Sequence, residues 1–179
     1  DELDGVILSG TNGRPDYITR LGIVISKVEM KIRGREAKSE LMDKLSFGSF
    51  NNKFKPTRTN YDWLCSVDEE VDKYIDSEYC GFICTTSYYY DLIRGLWKIN
   101  EKENLNKIPK DLPVYIFAGD KDPVGDFGKG IINLYECYKA LGIKDLKYKL
   151  YKNGRHEMLN ENNKDEVIED ILNWINNII

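Results

Sequence analysis

The sequence predicts an α/β fold in which three parallel strands are connected by crossover helices and interrupted by a helical insertion. Three short apolar segments have the composition of strands, at residues 5–9, 114–120 and 146–152. The second and third segments are each followed by a stretch whose apolar residues have helical spacing. Alternation of strands and helices implies a parallel sheet that is covered by helices.

The first two strand segments are more apolar than the third. GVILS at 5–9 is a continuous apolar run that ends in the turn-rich sequence GTNGRP, and VYIFAGD at 114–120 has the same character. Such runs are typical of strands that are buried on both faces of a parallel sheet. LKYKLYK at 146–152 alternates apolar and polar residues, which predicts a more exposed strand near the edge of the sheet.

Two helices are predicted in the C-terminal third of the chain. The apolar face of the first consists of Ile131, Leu134, Tyr135, Tyr138 and Leu141. Gly142 follows this helix, where a glycine is favoured after a helix C-terminus. The second helix has acidic residues in its first turn and an apolar face formed by Val167, Ile171, Trp174 and Ile175.

The long segment between the first and second strands differs from the rest in being mostly helical. Amphipathic helices are predicted at 15–32, 37–45, 67–75 and 87–99. Ser66 and Glu69 have the spacing of a capping box at the start of the third of these helices. We therefore divide the chain into a first core strand (1–13), a helical insertion (14–108) and a C-terminal core (109–179).

Composition excludes several classes of protein. The 179 residues are 41% hydrophobic and 31% charged, as in a globular domain with a real core. With a formal net charge of -4 and lysines interleaved with acidic residues, neither nucleic acid nor an anionic membrane surface is favoured as a partner. No apolar run reaches the roughly 20 residues that span a bilayer, so stable membrane insertion is not expected.

Four cysteines lack the spacing of a zinc or redox site and the density of a disulfide scaffold: Cys65, Cys80, Cys84 and Cys137. A reduced, cytoplasmic protein is therefore expected. No metal or other cofactor is predicted. A cation loop formed by Asp120, Asp122 and Asp126 is disfavoured, because Pro123 and Val124 stand where such a loop requires oxygen ligands and a glycine.

Asp122 and His156 are the candidate catalytic residues. Asp122 follows the second strand, and His156, the single histidine, follows the third. Carboxyl ends of parallel strands meet at one edge of a sheet, so the two side chains are expected to lie together there. A buried carboxylate that accepts from one imidazole nitrogen leaves the other nitrogen free to take a proton from a nucleophile. Taken singly, Asp122 could instead be a turn aspartate and His156 a surface or packing residue.

The segments DGVILSGTNG, WLCSVDEEVDKYIDSEYCGF, PVYIFAGDKDPVGDFGKGI and YKNGRHEMLNE resemble the second half of α/β hydrolases, in the branch of lysophospholipase-like and monoacylglycerol-lipase-like serine hydrolases. The resemblance implies the C-terminal part of that sheet, with the insertion as a helical cap, Asp122 as triad acid and His156 as triad base. The cap's aromatic residues are candidates for an apolar pocket or simply for cap core: Trp63, Tyr79, Phe82, Tyr88, Tyr89, Tyr90 and Trp97.

The family's nucleophile motif, G-x-S-x-G, does not occur in the sequence. Ser9 lies at a strand end without the flanking glycines, and Ser46 and Ser49 lie in the loop-like sequence LSFGSF. In the resembled family the nucleophile precedes the point where this sequence begins. The expected partner is therefore the N-terminal half of the same hydrolase, and the chain alone is expected to be inactive.

The resemblance implies a lipid-like or small ester as the substrate and an acyl-enzyme intermediate. Two alternatives stay open. A proline-iminopeptidase-like peptidase would need an acidic cluster for the substrate's amino terminus, and Asp68, Glu69 and Glu70 resemble a solvated helix start instead. A non-catalytic homologue that acts as a binding protein would have no physical need for an acid and base pair.

Overall fold

The computed structural model describes residues 3–179, so the first two residues of the predicted segment 1–13 lie outside it. Its strands and helices in chain order are β1 (Val6–Ser9), α1 (Tyr17–Arg33), α2 (Glu40–Phe47), a 3-10 helix (Phe50–Phe54), α3 (Asp68–Asp76), α4 (Thr86–Ile99), α5 (Lys102–Leu105), β2 (Val114–Gly119), α6 (Lys129–Ala140), β3 (Leu146–Tyr151) and α7 (Lys164–Asn176). The predicted alternation of strands and helices around a helical insertion is confirmed.

The three strands form one parallel sheet in the order β1-β2-β3. Val114 of β2 pairs with Val6 of β1 on one side and with Leu146 of β3 on the other. The predicted α/β class with parallel strands and crossover helices is therefore confirmed. Each strand differs from its predicted range by one residue at one end, and the residues after β2 and β3 turn away at the same edge of the sheet.

The central strand β2 is buried along its whole length. Alternate residues point to opposite faces, as the pleat of a strand requires. On one face, Ile116 and its neighbours pack against Ile131 and Leu134 of α6. On the other face, Tyr115 and Phe117 pack against Val167 and Trp174 of α7. The apolar faces predicted for these two helices are thus the faces that cover the sheet.

The helical insertion has a small core of its own, in which Met42 of α2 packs with Tyr89 and Ile93 of α4. The N-termini of α1, α2 and α4 are capped by the side chains of Asp16, Ser39 and Thr85, each of which accepts a backbone N–H of its helix. Within residues 3–179, no helix combines the length and the apolar character needed to cross a membrane.

Two local predictions in the insertion are wrong. The helix predicted at 37–45 begins only at Glu40, because Ser39 accepts the Met42 N–H and adopts a non-helical conformation. At its other end the helix extends to Phe47 and so includes Ser46, which the sequence placed in a loop. Ser66 does not cap α3 either, since that helix begins after Val67 and has no side-chain cap. The partner of Ser66 is Glu161, in the C-terminal core.

Two adjacent isoleucines in α6 provide a matched test of this packing. Ile131 is fully buried against the sheet, whereas the Ile132 side chain is 41% exposed. We expect Ile131→Ala to lower the free energy of unfolding by about 3 kcal/mol, since it removes buried methyl groups and leaves a cavity. Ile132→Ala should cost less than about 1 kcal/mol. Chemical denaturation of the two variants measures both values, and equal losses would contradict the packing described.

Candidate active site

Asp122 lies in the turn that follows β2 and is fully buried. One carboxylate oxygen, Oδ1, accepts the backbone N–H of Val124 at 2.9 Å. The main chain of Asp122 is also fixed, because its N–H donates to Gly119 and its carbonyl accepts from Phe127. The turn role considered for this aspartate therefore holds, and it leaves the second oxygen, Oδ2, free for another partner.

That partner is His156. Oδ2 of Asp122 lies 3.1 Å from Nδ1 of the imidazole, which is itself partly exposed. With the carboxylate ionised, Nδ1 is the donor of this hydrogen bond. The neutral ring then has its lone pair on Nε2, which is the nitrogen that can accept a proton. The structure brings together the two residues that the sequence singled out, and their catalytic role stays a prediction.

Backbone packing accounts for the proximity of the two turns. A Cβ atom on Gly119, at the end of β2, would lie 1.9 Å from the carbonyl oxygen of Gly154, so only glycine fits there. The carbonyl of Gly154 accepts the N–H of Lys121, and the Asp120 carboxylate accepts the N–H of Asn153. Asp120 is thus a structural residue that joins the turn after β2 to the turn after β3.

A glycine also borders the imidazole on the side of β1. Gly10 is buried, continues the pairing of β1 with β2 and adopts a φ of +57°. A Cβ atom there would lie 3.0 Å from both Cε1 and Nδ1 of His156. The ring is therefore confined between the Asp122 carboxylate and the backbone that follows β1.

Trp63, from the helical insertion, packs against the ring of His156 with their centroids 5.4 Å apart. It also packs against Phe50, at 4.9 Å. No sequence pattern indicated this contact, because Trp63 lies in an irregular segment between the 3-10 helix and α3. The predicted aromatic residues do not form one group: Tyr89 is buried in the insertion's core, while Tyr79 and Phe82 are exposed.

A cavity of about 470 Å³ opens beside Trp63 within the insertion. Its apolar wall includes Phe47, Trp63 and Phe82, and its polar wall includes Asn51 and Tyr61. Trp63 is therefore shared between this cavity and the histidine. A mixed wall of this kind suits a ligand with both an apolar and a polar part.

Within residues 3–179, no hydroxyl or thiol forms a hydrogen bond with the imidazole. Cys65 is the cysteine nearest to Trp63 in the chain, and its thiol donates to the carbonyl of Asn160. Burial raises the pKa of this thiol to about 11, which keeps it protonated at neutral pH and a poor nucleophile. Ser46 and Ser49 lie in α2 and just before the 3-10 helix.

The described residues also contain no group of three His, Cys, Asp or Glu side chains that could hold a metal ion. The acidic residues considered for a cation loop have separate partners. Asp120 accepts from Asn153, Asp122 contacts His156, and Asp126 forms an ion pair with Lys129 at 3.5 Å. The arrangement can accept and donate protons, which is the chemistry of an acid and base pair.

The sequence profile of the serine aminopeptidase S33 family matches residues 1–163. The chain belongs to this family of α/β hydrolases. A comparison with curated proteins gave no significant match. The fold class, an α/β-hydrolase sheet seen in its C-terminal part, is thereby confirmed.

Solved structures agree with the observed fold. A thermostable carboxyl esterase from Bacillus coagulans, in complex with glycerol, is similar with a TM-score of 0.86 and 27% identity over 98% of this chain. A lipase in its open form has a TM-score of 0.79 and 22% identity over 98% of the chain. A soluble variant of a Saccharomyces cerevisiae monoglyceride lipase, with a substrate analogue, has a TM-score of 0.71 and 17% identity over 100% of the chain. The chain spans 57% of the length of each of these proteins.

The contact between Asp122 and His156 predicts the tautomer of the neutral imidazole. We expect the proton on Nδ1 in the unsubstituted protein, because the carboxylate can only accept. Asp122→Asn should move it to Nε2, since the amide of asparagine can donate to Nδ1. A two-bond ¹H–¹⁵N spectrum of histidine-labelled protein, assigned with His156→Ala, measures the tautomer.

Asp120→Asn is the matched control for this experiment. Its carboxylate contacts Asn153 and not the ring. The substitution should leave the tautomer unchanged. An Nε2–H tautomer in the unsubstituted protein would show that the hydrogen bond to Asp122 is absent in solution.

Proposed function

We propose that this chain supplies the acid and the base of a serine hydrolase that cleaves carboxylic esters. The observation that carries the proposal is the pairing of a fully buried Asp122 with a partly exposed His156 at the carboxyl edge of the sheet. Membership of an α/β-hydrolase family supports it. The nucleophilic serine would come from the N-terminal half of the same hydrolase, since the 179 residues contain no G-x-S-x-G sequence.

The proposed reaction follows from which atoms are free. Nε2 of His156 takes the proton of the serine hydroxyl as its oxygen attacks the ester carbonyl. The protonated ring then gives this proton to the departing alkoxide, and the acyl group stays on the serine. Water, activated by the same nitrogen, releases the acid. Asp122 keeps the ring in the Nδ1–H tautomer and stabilises the imidazolium that forms in both steps.

The proposed substrate is a lipid-like or small ester. The cavity beside Trp63 supports this choice, because an acyl chain could lie against Phe47, Trp63 and Phe82 while polar atoms face Asn51 and Tyr61. Two of the similar structures described above were solved with glycerol or a substrate analogue of a monoglyceride lipase. We therefore propose esters of glycerol or comparable small alcohols as the first substrates to test.

An aminopeptidase activity is the main competing function, and the family description names it. Such an enzyme needs a carboxylate that is free to bind the amino terminus of the substrate. Two carboxylates of the acidic cluster at the start of α3 have other partners, since Asp68 pairs with Arg58 and Glu70 pairs with Lys73, whereas Glu69 is exposed. The pairing of two of the three carboxylates favours an ester substrate. A binding protein without catalysis is disfavoured by the retention of the Asp122–His156 hydrogen bond.

The proposed cellular location is the cytoplasm. Cys65, Cys80, Cys84 and Cys137 are all free thiols. Free thiols are typical of proteins from a reducing compartment.

Replacement of His156 in the complete hydrolase tests the proposal. We expect His156→Ala to lower kcat/KM for p-nitrophenyl esters by about 10⁴-fold, because serine loses its base. Asp122→Asn should lower it by a similar factor through the wrong tautomer. The melting temperature of His156→Ala should change by only a few degrees, because the ring is partly exposed.

Asp120→Asn should retain most of the activity and serves as the matched control. Aminoacyl p-nitroanilides, assayed beside the esters, separate the two candidate functions. Faster cleavage of the anilides would support the aminopeptidase. Full ester hydrolysis by His156→Ala would contradict the proposed role of the histidine.

A further inference from the structure

The loop that carries His156 is joined to the helical insertion by a buried carboxylate. The Glu161 side chain is 3% exposed, although it is an acidic residue. Its Oε1 accepts the N–H of Ser66 at 3.0 Å and the N–H of Arg155 at 2.9 Å. Its Oε2 accepts from the hydroxyl of Ser66. One side chain thus accepts from donors in two parts of the chain, since Glu161 lies 95 positions from Ser66 and 6 positions from Arg155.

Arg155, the residue before His156, makes a second connection. Its guanidinium donates to the carbonyl oxygens of Asp62 and Cys65, the latter at 2.9 Å. It also lies over the ring of Phe54, at 4.5 Å from the centroid. The planar guanidinium group suits this combination of two acceptors and one aromatic face, which an ammonium group matches poorly.

The residue after His156 is tied to the same segment. The N–H of Glu157 donates to the carbonyl of Leu64 at 2.8 Å. Both neighbours of the histidine are therefore bonded to the segment Asp62–Ser66, which we call the latch segment. Trp63, within this segment, contacts the imidazole itself.

The latch segment is in turn fixed to the insertion. The Asp62 carboxylate accepts the N–H groups of Arg58 and Thr59. Burial opposes ionisation of this group, but the hydrogen bonds from Thr59 and Arg58 outweigh burial and lower its pKa. The carboxylate therefore stays ionised at neutral pH and holds the turn before Trp63 in place.

We infer that Glu161 and Arg155 are positioning residues, which hold the His156 loop against the latch segment and so fix the orientation of the imidazole. The catalytic consequence rests on the proposed function, whereas the orientation of the ring can be measured without it. The hydrogen bond to Asp122 fixes one edge of the ring. The latch segment fixes the backbone on both sides of it and one face, through Trp63.

The latch segment couples the insertion as a whole to the His156 loop. Any shift of the latch segment moves Trp63, Arg155 and Glu157 together. Trp63 is part of the segment, and Arg155 and Glu157 are hydrogen-bonded to it. The position of the insertion is thus transmitted to the catalytic base. A substitution in the insertion, far from His156 in sequence, should therefore alter the orientation of the imidazole ring.

Substitutions at Glu161 test the inference in the complete protein. Glu161→Ala leaves two backbone N–H groups and the Ser66 hydroxyl without their acceptor, so the loop should loosen. We expect kcat for a p-nitrophenyl ester to fall by about 10- to 100-fold with little change in KM. The ¹⁵N spectrum of His156 should lose its strong preference for the Nδ1–H tautomer. Glu161→Gln retains an oxygen for the two N–H groups. It should therefore keep kcat within a few-fold of the unsubstituted protein and keep the Nδ1–H tautomer.

Glu157→Ala is the matched control, because it removes the same type of side chain from the same loop. Among residues 3–179, the Glu157 carboxylate accepts a hydrogen bond only from Asn160, in the same loop. Its loss should leave kcat and the tautomer unchanged. If Glu161→Ala fails to fold, Ser66→Ala replaces it. This change removes the hydroxyl that donates to Glu161 and accepts from Asn162, and it leaves the contact of the Ser66 N–H with Glu161. We expect Ser66→Ala to shift the tautomer in the same direction and to lower kcat by about 3- to 10-fold.

Folded Glu161→Ala or Ser66→Ala protein with unchanged kcat and an unchanged imidazole spectrum would overturn the inference and leave a purely structural role. A different set of results is expected if the protein is not an ester hydrolase. In that case the unsubstituted protein would not cleave esters, while Glu161→Ala would still change the His156 spectrum and Glu157→Ala would not.

Discussion

One buried carboxylate, that of Glu161, joins the two parts of the molecule on which the candidate site depends. The loop after β3 presents His156, and the segment Asp62–Ser66 presents Trp63 against it. Neither is part of a helix or a strand, so neither has the internal hydrogen bonds of regular structure. Glu161 supplies acceptors to both. The buried carboxylate in turn has its oxygens paired, and these hydrogen bonds connect the two irregular segments.

The sheet determines where Asp122 and His156 meet. Parallel strands connected by a crossover helix end at the same edge, and Asp122 and His156 follow adjacent strands. The close approach of Gly119 and Gly154 then sets the separation of the two turns. Asp122 uses one oxygen for its own turn and the other for the imidazole. The same carboxylate therefore serves both the local backbone and the proposed chemistry.

The sequence predicted those features that depend on local periodicity and on chain order. Continuous apolar runs identified β1 and β2, and the order of aspartate and histidine around a crossover helix predicted their proximity. The misassigned start of α2 depends on a local cap by Ser39, whereas the misassigned cap of α3 depends on a contact between distant residues. The spacing of Ser66 and Glu69 resembles a capping box. The Ser66 hydroxyl donates instead to Glu161, which lies 95 positions further along the chain. The contact of Trp63 with His156 had no periodic signal, because it arises where two loops meet.

The role of His156 as a base is tested by labelling the complete protein with a fluorophosphonate, which modifies serines activated by a base. Intact mass spectrometry of the unsubstituted protein and of His156→Ala, followed over time, measures the rate of modification. We expect one modified serine in the unsubstituted protein and a rate reduced by about three orders of magnitude or more in the variant. A serine that is modified equally fast without His156, or no modification at all, would contradict the assignment of this histidine as the base.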